Sequence, residues 1–113
     1  MRLRVTSRGI DLKPDLKAFV ERRVHFALGR FAGRVKAVSA RLAVVDSPGE
    51  GPEACCSLRV EAGSGAPLIV TERQPHLDSA VARAVERAER AVQRQLMLER
   101  AASEGPADSS MRS

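Results

Sequence analysis

Each apolar stretch in this chain has a single apolar side, and the period of that side changes in a definite order along the sequence. Residues 2–7 alternate with period two, Leu3 and Val5 against Arg2, Arg4 and Thr6, the pattern of a short half-buried strand. Residues 13–31 then place Leu16, Phe19, Val20, Val24, Ala27 and Phe31 at helical spacing. Pro14 suits the first turn of that helix and Asp15 its positive end. Period two returns in residues 35–46, with Val38, Ala40, Leu42 and Val44 to one side and Ser39, Arg41 and Ala43 to the other. It continues in 54–62, with Cys56, Leu58 and Val60 inward, and in a fourth strand at 67–72. Residues 76–98 are helical again, because Val81, Val85, Ala88, Val92 and Leu96 fall within roughly 40° of one direction at ~100° per residue. One-sided strands predict an α+β fold of order β-α-β-β-β-α: a four-stranded mixed sheet with both helices on one face. The first strand lies parallel to the second through a right-handed crossover, and the last three strands form an antiparallel meander.

Punctuation fits this order. Gly33 is a helix stop, Asp46–Pro52 is a loop by composition, and Gly63-Ser-Gly65 is a tight hairpin turn. Three positions in the first helix stand out. Arg23 falls inside the apolar stripe and has to extend its charge outward, while Phe26 and Leu28 fall off the stripe, so that one of them is exposed or meets a partner. The expected organisation is one domain over residues 1–98, followed by a helix end and polar tail over 99–113, disordered beyond Ala102 where no apolar side remains.

A chain of 113 residues makes one domain with one modest core. It has no apolar run of the ~18 residues that a membrane span needs, and MRLRVTSRGI has no signal-peptide core, so the expected location is cytoplasmic and no membrane partner is expected. Cys55 and Cys56 are adjacent, and on a strand they point to opposite faces, where a disulfide between them would be strained. With His25 and His76 they lack metal-site spacing. Cys56 reads as a small core residue and His25 as a solvated helix residue; carboxylates are scattered, and no glycine loop opens a helix with a GKS/T motif. No enzyme, cofactor or small-molecule substrate is expected. Trp and Tyr are absent and Phe occurs three times, which excludes an aromatic base-stacking platform.

The net charge of +5 is unevenly spread. Residues 1–45 hold eleven basic and three acidic side chains, residues 46–72 one and five, and residues 73–100 six and four. Arg83, Arg87, Arg90 and Arg94 lie within about 40° of the direction opposite the apolar stripe and span about 16 Å. Such a row suits a solvated helix face supported by Glu86. It also suits a phosphate backbone, since it carries no acid of its own and its cations repel until an anion neutralises them. The row reads phosphate without base specificity. A second group, Lys17, Arg22, Arg23, Arg30, Arg34 and Lys36, lies on the first helix and its exit. Arg2, Arg4, Arg41 and Arg59 take outward strand positions, where Arg4, Arg41 and Arg59 line up across the open sheet face if strands one to three are neighbours; ordinary surface charge explains them equally well.

The whole pattern resembles the ribosome hibernation-promoting factor family, also called ribosome-associated inhibitors or Y-proteins. The likeness covers about residues 1–98. MRLRVTSRGIDLKPDLKAFVERR is similar to the family's opening strand, polar turn and helix start, with Leu16, Phe19 and Val20 in the Leu-x-x-Phe-Val places. Phe31 and Val38 follow where the family closes that helix and enters its second strand. LDSAVARAVERAERAVQRQL, residues 77–96, is similar to the family's Met-Tyr-Ala-Ala-Ile-Asp segment and basic helix, with Ser79, Ala80 and Val81 in the Ala-Ala-Ile places. The resemblance implies a non-catalytic stress factor. It would bind the small ribosomal subunit between head and body, over the tRNA and mRNA sites, and would block translation. By position, Lys17, Arg22, Arg23, Arg30, Arg83, Arg87, Arg90 and Arg94 would contact 16S-type ribosomal RNA. The fifteen residues after the second helix resemble the end of a short form, for which pairing of ribosomes would need another protein. Self-association is left open. The alternative is a protein-interaction module of the same fold without ribosome binding, suggested by Phe26 and Leu28.

Overall fold

The computed structural model describes residues 1–102 in full and, beyond them, only the helical course of the backbone to Arg112. The disordered tail expected after Ala102 lies outside the fully described residues. The elements are β1 (Arg2–Arg8), α1 (Pro14–Leu28) with a 3-10 turn at Gly29–Phe31, β2 (Val35–Ser47), β3 (Gly51–Ala62), β4 (Leu68–Gln74) and α2 (Leu77–Arg112). The strands form one sheet in the order β1-β2-β3-β4, with β1 parallel to β2 and the other pairs antiparallel. This is the expected α+β fold, a mixed four-stranded sheet with both helices on one face.

Local chemistry explains the entry to α1. Gly9 takes a positive φ of 75°, and the Ser7 hydroxyl donates to the Ile10 carbonyl at 2.8 Å, which turns the chain out of β1. Pro14 then opens the helix, where its missing N–H costs nothing, with Asp15 beside it in the positive first turn. The core lies in one layer between helices and sheet. Val20, Val24 and Leu28 of α1 and Ala80, Val81, Ala84, Ala88 and Val92 of α2 meet Val38, Leu42, Cys56, Leu58 and Val60 of the sheet, and all are fully buried. Alanines on the inner side of α2 let its backbone lie close to β3 and β4, where larger side chains would hold it off.

The structure corrects the sequence expectations at several points. Leu28 does not fall outside the stripe: it is fully buried, four residues after Val24 and eight after Val20, so that regular helical spacing carries it to the inner side. Phe26 is the exposed one, at 91%. The expected loop from Asp46 to Pro52 is mostly strand, because Asp46 pairs with Pro52 and Ser47 with Gly51 around a three-residue turn. β1 pairs with β2 only as far as Ala43, and β4 with β3 only as far as Ala54, so this end of the hairpin runs on as a two-stranded arm. Val44 keeps its expected side of the strand but stays half-exposed there.

Candidate nucleic-acid interface

Arg83, Arg87, Arg90 and Arg94 are all exposed along the outer side of α2, where the helical period places them. They are not equivalent. Arg87 donates to the Thr71 carbonyl and to the Glu72 carboxylate of β4, so it clips α2 to the sheet edge. Arg90 pairs with Glu86 one turn back, at 3.7 Å. Arg83 and Arg94 have no ion pair among the described residues. The row is therefore less acid-free than its own spacing implies: one acid comes from the adjacent helix side and one from β4. The exposed Arg90–Glu86 pair contributes about 0–1 kcal/mol, little enough for a phosphate to replace it, whereas Glu72 is largely covered.

The α1 cations divide by flank. Arg30 crosses to α2, with Nη2 at 3.2 Å from Glu89 and 3.4 Å from Gln93, and its guanidinium stacks 4.5 Å from the centre of the Phe31 ring. Arg23 borders the groove between the helices, with Phe26 and Ala27 facing Ala82, Val85, Glu86 and Glu89. Its charge is exposed, as its place in the stripe requires. Arg22 lies on the outer side of α1. Lys17 lies on the flank away from α2, about 120° round from Arg23 at ~100° per residue. Of the eight predicted contact residues, Arg30, Arg87 and Arg90 are held by protein acids, while Lys17, Arg22, Arg23, Arg83 and Arg94 have no ion pair among the described residues. Seven of the eight lie on the outer helix surface or about its central groove, and Lys17 stands apart.

The strand cations all point away from the helices. Arg4, Arg41 and Arg59 share this open face but not one row. Register puts Arg4, Ser39, Arg59 and Ile69 in line, with Arg41 in the next line beside Thr6, Ser57 and Thr71. Arg8 and Arg73 join the group, because β1 and β4 run one and two residues further than their alternation predicted. Cys56 is buried, and burial, reinforced by Cys55, pushes its thiol up to about 12, which suits a core residue and not a nucleophile. His25 and His76 are exposed. Among the described residues no group of His, Cys, Asp or Glu is placed to hold a metal ion, and no helix is long and apolar enough to cross a membrane.

Residues 3–96 match the family described as Sigma 54 modulation protein / S30EA ribosomal protein. The chain belongs to this family. Two solved structures share the S30EA fold seen here. A ribosomal subunit interface protein from Coxiella burnetii superposes with a TM-score of 0.70 at 13% identity, covering 86% of this chain and 99% of its own. The Protein Y N-terminal domain from Thermus thermophilus superposes with a TM-score of 0.69 at 21% identity, covering 83% of this chain and 98% of its own. A search of curated proteins by sequence returned no match. The S30EA match spans β1 to the middle of α2 and so includes every one of the eight predicted contact residues.

Proposed function

We propose that this S30EA-family chain is a non-catalytic cytoplasmic factor. In this reading it binds the small ribosomal subunit through phosphates of 16S-type rRNA near the tRNA and mRNA sites and inhibits translation during stress or hibernation. Family membership supports a ribosomal role, and the two structural neighbours are named for a ribosomal subunit interface and for Protein Y. The observation that carries the reading is the outer helix layer, where Arg22, Arg23, Arg83 and Arg94 stand exposed without an ion pair among the described residues. Arg30 and Arg90 lie beside them in surface pairs, and Arg87 in its contact with Glu72. Guanidinium forks on a rigid helix pair grip phosphate oxygens from two directions.

The test avoids Arg87, whose replacement by an acid would face Glu72 and loosen α2. Arg83→Glu with Arg94→Glu removes two cations that hold nothing in the fold. Co-sedimentation with purified small subunits is expected to be lost while the circular dichroism spectrum and thermal midpoint stay as in the wild type; undiminished pelleting would remove the helix row from the interface. A second reading rests on Phe26, exposed at the rim of the inter-helix groove: a protein-interaction module of this fold. Dimers that persist at high salt, with no RNA affinity, would favour it.

A further inference from the structure

The helix layer leaves the opposite side of the sheet open. Six arginines stand on that face: Arg2, Arg4 and Arg8 of β1, Arg41 of β2, Arg59 of β3 and Arg73 of β4. Only Arg59 has an ion pair among the described residues, with Glu61 at 3.5 Å, and both partners are about half exposed. Glu53, the other acid on this side, lies out on the hairpin arm and is bonded to Ser47. A flat face with this surplus of cations repels itself until something anionic covers it.

Register gives the surplus a shape. Arg4 and Arg59 sit in one row two strands apart, about 10 Å at the usual strand spacing. Arg41 is diagonal to both, about 8 Å from each. The three cations thus surround Ser39. Beside Arg41 and Arg59, on the β3–β4 side of the triangle, lies a shallow depression of about 240 Å³, lined by Ser39, Arg41, Ser57, Leu58, Arg59 and Ile69, while Arg4 borders a neighbouring one with Arg2, Ser39 and Glu61. The Ser39 and Ser57 hydroxyls border the first, and Ser57 is held by Thr71 at 2.7 Å. Guanidinium groups around small hydroxyls form a surface for tetrahedral phosphate oxygens.

We propose that this open sheet face is a second RNA-binding surface, which takes phosphodiester groups of an RNA strand at the Arg4–Arg41–Arg59 triangle while the helices engage RNA on the other side. The inference rests on the ribosome-binding reading above and extends it: the protein is gripped from both faces. An acidic protein partner fits less well. Protein interfaces gain most from buried aromatic and aliphatic anchors, and Ile69 is the single large apolar side chain exposed on this face among the described residues.

The triple variant Arg4→Gln, Arg41→Gln, Arg59→Gln tests it, measured by co-sedimentation with small subunits across a salt series beside the wild type. All three side chains are exposed, and an unchanged thermal midpoint confirms the fold. Three lost phosphate contacts are expected to make the slope of log affinity against log salt shallower by about 2 and to weaken binding at least ~10-fold at moderate salt. A photo-crosslinker on Cys55, which lies on the same face while Cys56 is buried, is expected to attach to rRNA. Unchanged affinity and slope would overturn the proposal, as would crosslinks to ribosomal protein alone, which would assign the face to an acidic protein segment. A wild type that does not pellet would remove the ribosome-binding reading itself, an outcome distinct from a wild type that binds and a variant that binds equally well.

Discussion

Glu99 shows how one side chain holds a long helix to a sheet. Its carboxylate accepts the backbone N–H and the hydroxyl of Ser64, at 3.0 Å each, and Arg34 lies 3.8 Å away. These contacts, the Ser64 N–H first, hold its carboxyl below the ordinary 4.5. The turn that aims the N–H needs Gly63 at a φ of +64°, a left-handed conformation that costs other residues about 1–2 kcal/mol. A carboxyl that titrates lower in the folded state gives its full stabilisation above the ordinary carboxylate range and loses it as pH falls through the folded value. Glu99→Gln is therefore expected to destabilise at neutral pH and to flatten the decline of stability towards acid, read from urea unfolding between about pH 7 and pH 3. The Glu99–Ser64 contact was not legible in the sequence, since 35 residues separate the partners and nothing in their local spacing pairs them. Cys56 was legible, because its place in the alternation of β3 decides its burial without reference to any distant residue.

At the scale of the element, α1 puts Phe26 and Leu28 on nearly opposite sides, about 200° apart at ~100° per residue. Leu28 is fully buried and Phe26 is 91% exposed. Leu28→Ala is expected to cost about 2–5 kcal/mol, by lost burial and by the cavity it leaves. Phe26→Ala should stay within about 0.5 kcal/mol of wild type, so paired denaturant curves separate them directly. The sequence pattern misplaced Leu28 because it centres the stripe towards Leu16 and Phe19, whereas Val20, Val24 and Leu28, each four residues on from the last, are the fully buried side chains of the helix. The hairpin arm was misread for a different reason. Pro, Gly and Ser between Asp46 and Pro52 signal a loop by composition, but strand pairing extends to Ser47 and Gly51, leaving only three residues for the turn. The α2 row was readable as four cations on one side, whereas the capture of Arg87 by Glu72 depends on β4 lying beside that helix.

For the whole molecule, charge is divided between two opposed faces, helices on one and open sheet on the other. If both engage RNA, more than six phosphates are contacted, and affinity for small subunits is expected to fall by about 10³ or more between 50 and 200 mM salt. A loss of less than tenfold in the same pelleting series would mean few phosphate contacts and would count against both faces. The order of strands and helices, the one-sided sheet and the outer arginines of α2 were determined by the sequence alone, because period two and period 3.6 act over neighbouring residues and need no knowledge of what packs against them. Which arginines are engaged by acids, which cations meet around Ser39, and how Ser64 reaches Glu99 were decided only by tertiary structure. Those arrangements depend on strand register and on where each helix lies across the sheet, and both are set by packing between residues far apart in the chain.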